Sequence, residues 1–333
     1  MSVATATVDV MRGIQITEFG GPEVLRLCEL PDPVATGDLV AIDVEFAGVN
    51  FADTHQVENT YLAPQQLPLV PGAEVVGRTS DGRRVVALLA GGGGYAEKVL
   101  AHPSVVFDLP ESVDDVTALA LVLQGTTAWH LLRTSAHLQL GENVVVHAAA
   151  GGVGSLAVQL AKRWGAGRVT ATASTPDKRD LARSLGADVA VDVSTATTAE
   201  QVREVLVGAN EGRPVDVVLE MTGGIVTDGS LAALAPFGRL CVFGRAARTP
   251  PAPIDPGLLV ATSRAVVGFW LAHVLRRPGG LRIAMEELLS LARTGAIKAV
   301  DGGHYPLADA AEAHRALRSR GTVGKLVIDV RAT

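Results

Sequence analysis

The stretch Val144-Val145-Val146-His147-Ala148-Ala149-Ala150-Gly151-Gly152-Val153-Gly154-Ser155 constrains the fold more than any other part of the chain. A β-branched run passes into a glycine-rich turn, and a helical pattern follows at once over 156–162. This is the strand–turn–helix context that a dinucleotide fingerprint requires. Each small residue has a physical task. Gly151 is expected to take the tight turn, Gly152 to leave room for a pyrophosphate, and Gly154 to let the helix pack closely on the strand. Ala150 and Val153 complete the cofactor loop, and the helix N-terminus offers N–H groups and a positive dipole end to the phosphates. Ala149 stands where the pattern has its first glycine. An ordinary glycine-rich turn is the competing reading.

The second strand of such a fold ends about 20 residues after the glycines, where NAD-binding proteins carry an acid for the ribose diol. Here the strand 168–173 ends at Ser174, followed by Thr175-Pro176-Asp177-Lys178-Arg179. A carboxylate at the tip would repel a 2′-phosphate, whereas a small hydroxyl flanked by cations welcomes one. NADPH is therefore the expected cofactor, with Ser174, Lys178 and Arg179 at its 2′-phosphate. The alternative is that Lys178 and Arg179 only solvate a helix start, with Asp177 partly cancelling them.

A length of 333 residues, 48% of them hydrophobic, suits two domains with real cores. The net charge of −6, without a basic run, argues against nucleic acid as a ligand. Cys28 and Cys241 lie far apart and outside any C-x-x-C pair. They are too few for a cysteine-based zinc site and fit a reducing, cytoplasmic setting. No apolar run reaches membrane-spanning length, and no signal pattern opens the chain. The first ten residues read as a loose leader, with Met11 a candidate start.

From Gly13 to about Thr127, short apolar alternations such as Leu39-Val40-Ala41-Ile42-Asp43-Val44 and Arg84-Val85-Val86-Ala87-Leu88-Leu89 are broken by Gly and Pro. This predicts an antiparallel all-β unit. From about Trp129 to Ser263, predicted strands at 144–147, 169–173, 189–193, 215–220 and 240–244 alternate with helices, including 155–164 and 178–185. Gly186 is the expected C′ residue of the second helix. Such alternation predicts a doubly wound parallel sheet in an α/β chain. A loop over 245–257, a further strand after Val266, a helix over 281–293 and a strand over 325–330 complete the pattern. A nucleotide domain at 129–265 is thus inserted into a first domain made of 1–128 and 266–333. A cleft between two such domains is where a substrate would meet the nicotinamide.

A set of motifs then carries a resemblance. They are Phe19-Gly20-Gly21-Pro22-Glu23-Val24-Leu25, Ala47-Gly48-Val49-Asn50-Phe51-Ala52-Asp53, Val70-Pro71-Gly72-Ala73-Glu74 and Gly94-Tyr95-Ala96-Glu97. Gly125-Thr126-Thr127, the loop 148–154, Gly186-Ala187-Asp188 and Gly324-Lys325 follow in order. Over 11–330 the chain resembles the medium-chain dehydrogenase/reductase superfamily, in its zinc-independent quinone oxidoreductase and zeta-crystallin branch. The resemblance implies a GroES-like β domain plus a Rossmann domain, usually in a homodimer. It also implies NADPH-dependent reduction of quinones or of the C=C bond of enones and enoyl compounds. Zinc enzymes of the superfamily hold their metal with Cys, His and Cys; the matching positions here are Asn50, Ala73 and Leu123, so no metal is expected. Without a Lewis acid, alcohol oxidation loses its means of acidifying the hydroxyl. Conjugated acceptors need less help, because charge delocalises onto oxygen as hydride reaches carbon.

The resemblance also assigns residues. The Asn50 amide would face the substrate carbonyl or the cofactor ribose, a donor aimed at a developing enolate oxygen; a turn-capping Asn is the plainer reading. Tyr61 matches a pocket tyrosine able to hydrogen-bond the carbonyl or relay a proton, or is simply a loop tyrosine. His55 stands where relatives often carry another tyrosine, and is either a proton donor near neutral pH or a rim residue. Thr127 matches the threonine beneath the nicotinamide; otherwise it is a helix N-cap. Glu220, Phe243-Gly244 and Phe269-Trp270 fall at strand C-termini, the edge where doubly wound folds bind ligands; the apolar ones also fit a core. Asp53 and Glu74 are expected to brace loops. Lys325 matches a glycine–lysine pair near the cofactor, or is merely solvated.

The leading expectation is an NADPH-dependent, metal-free reductase of a small quinone or enone, with Asn50 and Tyr61 holding the oxyanion. Reduction of an enoyl thioester is the first alternative, with Arg276, Arg277 and Arg282 as a docking patch. A non-catalytic NADPH-binding protein is the second. The edge strand over 266–270 is expected to pair with a second copy, and neither nucleic acid nor membrane is an expected partner.

Overall fold

The computed structural model describes residues 9–60 and 62–332, so Tyr61 and most of the expected leader lie outside the described residues. Two compact units are present: the first within 1–123, 281–294 and 300–333, the second at 124–280 and 295–299.

The first unit begins with seven strands: β1 (Val10–Gln15), β2 (Arg26–Pro31), β3 (Val40–Val49), β4 (Glu74–Thr79), β5 (Arg84–Leu88), β6 (Lys98–Ala101) and β7 (Val106–Asp108). β3 shows why the alternation folds as it does. Ala41 and Asp43 face solvent while Ile42 and Val44 are buried, the period-2 pattern of a half-covered strand. A bulge between Val44 and Phe46 then breaks the register and turns Glu45 inward, where Arg78 and Arg331 neutralise it.

This unit is not all β. Helix Phe51–Val57 opens directly after β3, with the Asp53 carboxylate accepting the Asn50 N–H at 2.8 Å. A second helix starts at Asp115, where Asp114 accepts the Thr117 N–H at 2.8 Å. An Asn or Asp followed three residues later by a capping partner is a helix-start signal. The strand-like surroundings masked it in both places.

The second unit carries β8 (Asn143–Val146), β9 (Arg168–Thr172), β10 (Val189–Val191), β11 (Val215–Glu220), β12 (Leu234–Val242) and β13 (Ala265–Gly268). They form one parallel sheet in the order β10-β9-β8-β11-β12-β13. Helices Gly152–Arg163, Pro176–Ser184, Ala199–Ala209, Ile225–Ala233 and the short Pro256–Thr262 make the crossovers. The strand order reverses between β8 and β11, the topological switch point at which such sheets bind nucleotides. Gly186 follows Leu185, the C-cap of helix Pro176–Ser184, at φ +112°, the left-handed C′ geometry expected of it.

The inserted segment is longer than expected at both ends. β13 pairs in parallel with β12, Ala265 opposite Arg239 and Gly268 opposite Val242. Residues 266–280 therefore belong to the nucleotide-binding unit, and the chain returns to the first unit only at 281. On the other side, the helix from Asp115 runs on through Thr126–His130. It widens to π geometry at Leu121–Gly125 and again at Leu131–Ser135, and the unit boundary falls inside the first wide turn.

Back in the first unit, helix Gly280–Arg293 and helix Ala310–Arg318 flank β14 (Asp301–Pro306), and β15 (Lys325–Asp329) ends the fold. β15 joins β14 in parallel and β3 antiparallel, extending the sheet to β14-β15-β3-β4-β5-β7 with β6 on β3. Among the described residues no helix is long and apolar enough to cross a membrane.

Candidate active site

The turn after β8 is tight, but the residue that makes it tight is Ala148, at φ +49°. Gly151, expected in that role, is extended at φ −82° and caps helix Gly152–Arg163, its N–H donating to Ala148 O at 2.9 Å. A left-handed alanine stores on the order of 1–2 kcal/mol of strain, held here at the candidate cofactor loop. Gly152 also has a task the sequence did not reveal: a Cβ there would lie 2.2 Å from the Gln124 side chain. Gly154 matches expectation, since its Cβ would fall 2.3 Å from Ala148 O and 2.8 Å from Ala149 Cα. Only a hydrogen lets the helix start so close to the strand end.

Under this loop His147 is buried, with Nδ1 2.9 Å from the Thr172 hydroxyl and Nε2 2.8 Å from the Ser230 hydroxyl. Burial pushes its pKa down and holds it neutral. It ties β8 to β9 and to helix Ile225–Ala233, a role no sequence signal disclosed.

Ser174 is exposed just beyond β9. Thr175 caps the next helix by accepting the Lys178 N–H at 3.3 Å, and partial burial lowers the Lys178 pKa. Arg179 donates to Ala173 O at 3.0 Å and to Asp192 at 3.2 Å. Its acidic partner is thus Asp192, not the exposed Asp177. Glu220 ends β11 fully buried and accepts the N–H groups of Thr222 and Gly223 at 2.5 and 3.2 Å and the Thr227 hydroxyl at 2.7 Å. Its carboxylate shapes its own loop. Phe243 and Phe269 leave neighbouring strand ends, their N–H groups on Glu220 O and Val242 O at 3.0 and 2.9 Å. Phe269 stacks on His130 with ring centres 6.0 Å apart, and Trp270 stands edge-on to His273 at 5.1 Å. Gly244 is exposed beside Phe243. Thr127 is buried within a helix that continues on both sides, so the N-cap reading of Thr127 falls.

In the first unit the signature residues meet in a polar core. Asn50 is 4% exposed, and its Nδ2 donates to Glu74 Oε1 and Oε2 at 2.8 and 2.7 Å. Lys325 Nζ donates to Asn50 Oδ1 at 3.1 Å and forms an ion pair with Glu74, both charged side chains being 0% exposed. The solvated reading of Lys325 is therefore excluded. Space for this pair comes from Gly48, whose Cβ would lie 2.0 Å from Glu74 Oε1 and 2.6 Å from Lys325 Nζ.

The core extends further. The Tyr95 hydroxyl lies between Asp53 Oδ2 at 3.3 Å and His314 Nε2 at 3.1 Å. All three side chains are buried. Burial, reinforced by the Glu74 charge, pushes Asp53 up to about 7. Burial, reinforced by Arg318, pushes His314 down to about 4. Tyr95 was visible only as part of a motif, and His314 carried no signal. His55 is half-buried, its Nδ1 2.8 Å from the Thr60 hydroxyl and its ring edge-on to Phe51 at 5.5 Å. Among the described residues no three His, Cys, Asp or Glu side chains converge as metal ligands.

A parallel sheet in this order, with a glycine turn at the switch point, defines a dinucleotide-binding fold. Comparison with known proteins takes this further. The sequence model of the zinc-binding dehydrogenase family matches residues 152–291, a span that excludes Asn50, Ala73 and Leu123. The quinone oxidoreductase of Pseudomonas aeruginosa is 34% identical over 327 residues, covering 95% of this chain and 98% of the relative. The human quinone oxidoreductase is 30% identical, covering 96% and 98%. Among solved structures, mycobacterial Rv1454c complexed with NADPH superposes with a TM-score of 0.88 at 37% identity, over 96% of this chain and 99% of that one. Escherichia coli quinone oxidoreductase complexed with NADPH gives 0.86 at 30% identity, again over 96% and 99%. The chain belongs to the zinc-independent quinone oxidoreductase branch of the medium-chain dehydrogenase/reductase superfamily.

Proposed function

We propose that this chain is an NADPH-dependent reductase of quinones or of the C=C bond of α,β-unsaturated carbonyl compounds. The observation that carries the reading is the glycine turn at the sheet's switch point combined with Ser174, not an acid, at the end of the second strand. The chain's residues fit the cofactor. The first turn of helix Gly152–Arg163 presents unbonded N–H groups to a pyrophosphate. Ser174, Lys178 and Arg179 receive the 2′-phosphate, with Arg179 already shared with Asp192. Thr127, Glu220, Phe243, Gly244, Phe269 and Trp270 position the rest of the dinucleotide. When bound, NADPH supplies a hydride to the acceptor carbon.

Asn50 contacts the acceptor's oxygen, its amide oriented by Glu74 and Lys325. A dipole already aimed where charge develops needs no reorganisation during the reaction. His55, half-buried on the helix that Asn50 opens, returns the proton to the reduced product as a general acid, with Tyr61 in the same role. The thioester alternative is weaker because Arg282 faces Glu286 at 4.0 Å and lies over the Phe107 ring, which takes one cation from the expected docking patch. Pairing of β13 edges, whose Val266 and Val267 are half-buried, is the proposed route to a dimer.

The test follows the loss of reduced-nicotinamide absorbance with benzoquinone, a simple enone and a crotonyl thioester, NADPH against NADH. Turnover on the first two with NADPH is expected. Turnover on the thioester alone would move the assignment to acyl chains, and silence on all three with NADPH bound would leave a binding protein. In Ser174→Asp, loss of charge-assisted contacts amounting to about 1.5–3 kcal/mol lowers the preference for NADPH over NADH roughly 10- to 100-fold. An unchanged ratio would remove Ser174 from the cofactor site.

A further inference from the structure

The polar core of the first unit holds more ionisable groups than its ion pair can neutralise. Glu74 and Lys325 cancel each other. Asp53 remains, buried, with the Glu74 carboxylate on β4 acting against its charge and Lys325 on β15 already engaged. At the far end of the Tyr95 bridge, His314 is equally buried. It faces Arg318 on its own helix, which opposes a positive imidazole, and Glu58, the C-cap of helix Phe51–Val57, which favours one. Glu58 is itself paired with Arg318 at 2.7 Å. Each end of the Asp53–Tyr95–His314 line therefore meets a charge of its own sign, and ionising both would place two more charges in a dry interior.

We infer that Asp53, Tyr95 and His314 are positioning residues that share one proton as a neutral chain, the proton resting on Asp53, and so fix the Asn50 backbone without adding net negative charge beside it. The protonated carboxyl donates to the Tyr95 oxygen, and the Tyr95 hydroxyl donates to Nε2 of a neutral His314. Asp53 still accepts the Asn50 N–H at 2.8 Å, so the helix carrying His55 stays anchored. The directions in which burial moves the two groups, Asp53 up to about 7 and His314 down to about 4, agree with this state. The consequence for turnover rests on the reductase reading of Asn50: an ionised Asp53 would oppose the oxyanion formed there.

The charge state itself is testable without any substrate. Between pH 4 and 6.5 the unfolded chain carries this proton on His314 and the native chain carries it on Asp53, so the pair contributes no slope to stability. Asp53→Asn leaves the native state without that proton, while the unfolded histidine still binds one. Its unfolding constant, relative to wild type, should rise about tenfold per pH unit as pH falls from 6.5 towards 4. His314→Gln reverses the sign: the native Asp53 keeps its proton, the unfolded one does not, and stability falls about tenfold per unit as pH rises from 4 towards 7. Urea unfolding of the full chain across this range reads both slopes, and two variants that run parallel to wild type would overturn the inference. Should either variant fail to fold, the infrared spectrum of the wild type at pH 6 decides. A protonated-carboxyl band that disappears on unfolding supports the chain, and its absence rejects it. Turnover by the wild type should fall several-fold as pH rises above 7, and Asp53→Asn should remove that fall. A flat wild-type profile alongside the stated stability slopes would uphold the neutral chain and overturn the role given to Asn50.

Discussion

Replacing Lys325 by methionine will destabilise the protein by about 3–5 kcal/mol, the loss typical of breaking one partner from a buried ion pair. The size follows from where the lysine sits. Lys325 and Glu74 are both 0% exposed, so no water can reach the orphaned carboxylate. Asn50 Oδ1 also loses the ammonium that orients it. The double variant Glu74→Gln/Lys325→Met removes both charges and should recover most of the stability, because a neutral pair of similar volume avoids the desolvation penalty. Urea unfolding at pH 7 measures both. A single-variant loss below about 1 kcal/mol, the range of exposed pairs, would show that the pair is hydrated in solution.

The second large effect is expected at Gly154. Its substitution by valine should weaken NADPH binding about 100-fold, or about 3 kcal/mol, with a stability loss of about 1–3 kcal/mol from overpacking. The obstacles are backbone atoms, Ala148 O at 2.3 Å and Ala149 Cα at 2.8 Å, and neither can swing aside. The helix start must move, and its N–H groups lose their alignment with an anion. The neighbouring glycines supply a graded control. Gly152→Ala meets only the flexible Gln124 side chain and should lose less. Gly151→Ala meets a single atom, Ala148 O, at 3.2 Å and should lose least. Fluorescence titration with NADPH ranks the three. Equal losses would show that glycine content, not the geometry of helix entry, governs the turn.

What could be read from the sequence was local and periodic. The strand Val215–Glu220 was legible to the residue, because a β-branched run bounded by turn signals leaves little choice. Helix Ala199–Ala209 was missed although its cap is plain: Thr198 accepts the Gln201 N–H at 3.2 Å, and Val202 and Leu206 are buried four residues apart. Helix Ile225–Ala233 carries a glycine and a threonine and starts at Gly224 with φ +55°, so its own propensity is weak and packing decides it. The sheet membership of β13 rests on pairing with β12, which a four-residue strand cannot announce. The turn was assigned to Gly151 because glycine is the default at positive φ, whereas the chain places Ala148 there. Motif residues brought Asn50, Asp53 and Glu74 into view. His314 lies 219 positions from Tyr95, and only the packing of its helix discloses that they meet.

The two thiols bear on how such a protein would survive its own chemistry. Quinones and enones alkylate thiolates, and the thiolate is the reactive form. Cys241 lies fully buried in β12 with its thiol pushed up to about 12 by burial, so at neutral pH almost none of it is nucleophilic. Cys28, in β2, is half-buried with its sulfur 3.6 Å from Gly13 O. If the proposed quinone or enone reduction holds, Cys241 is shielded from the acceptor, and a slow covalent loss of activity during turnover should trace to adducts on Cys28.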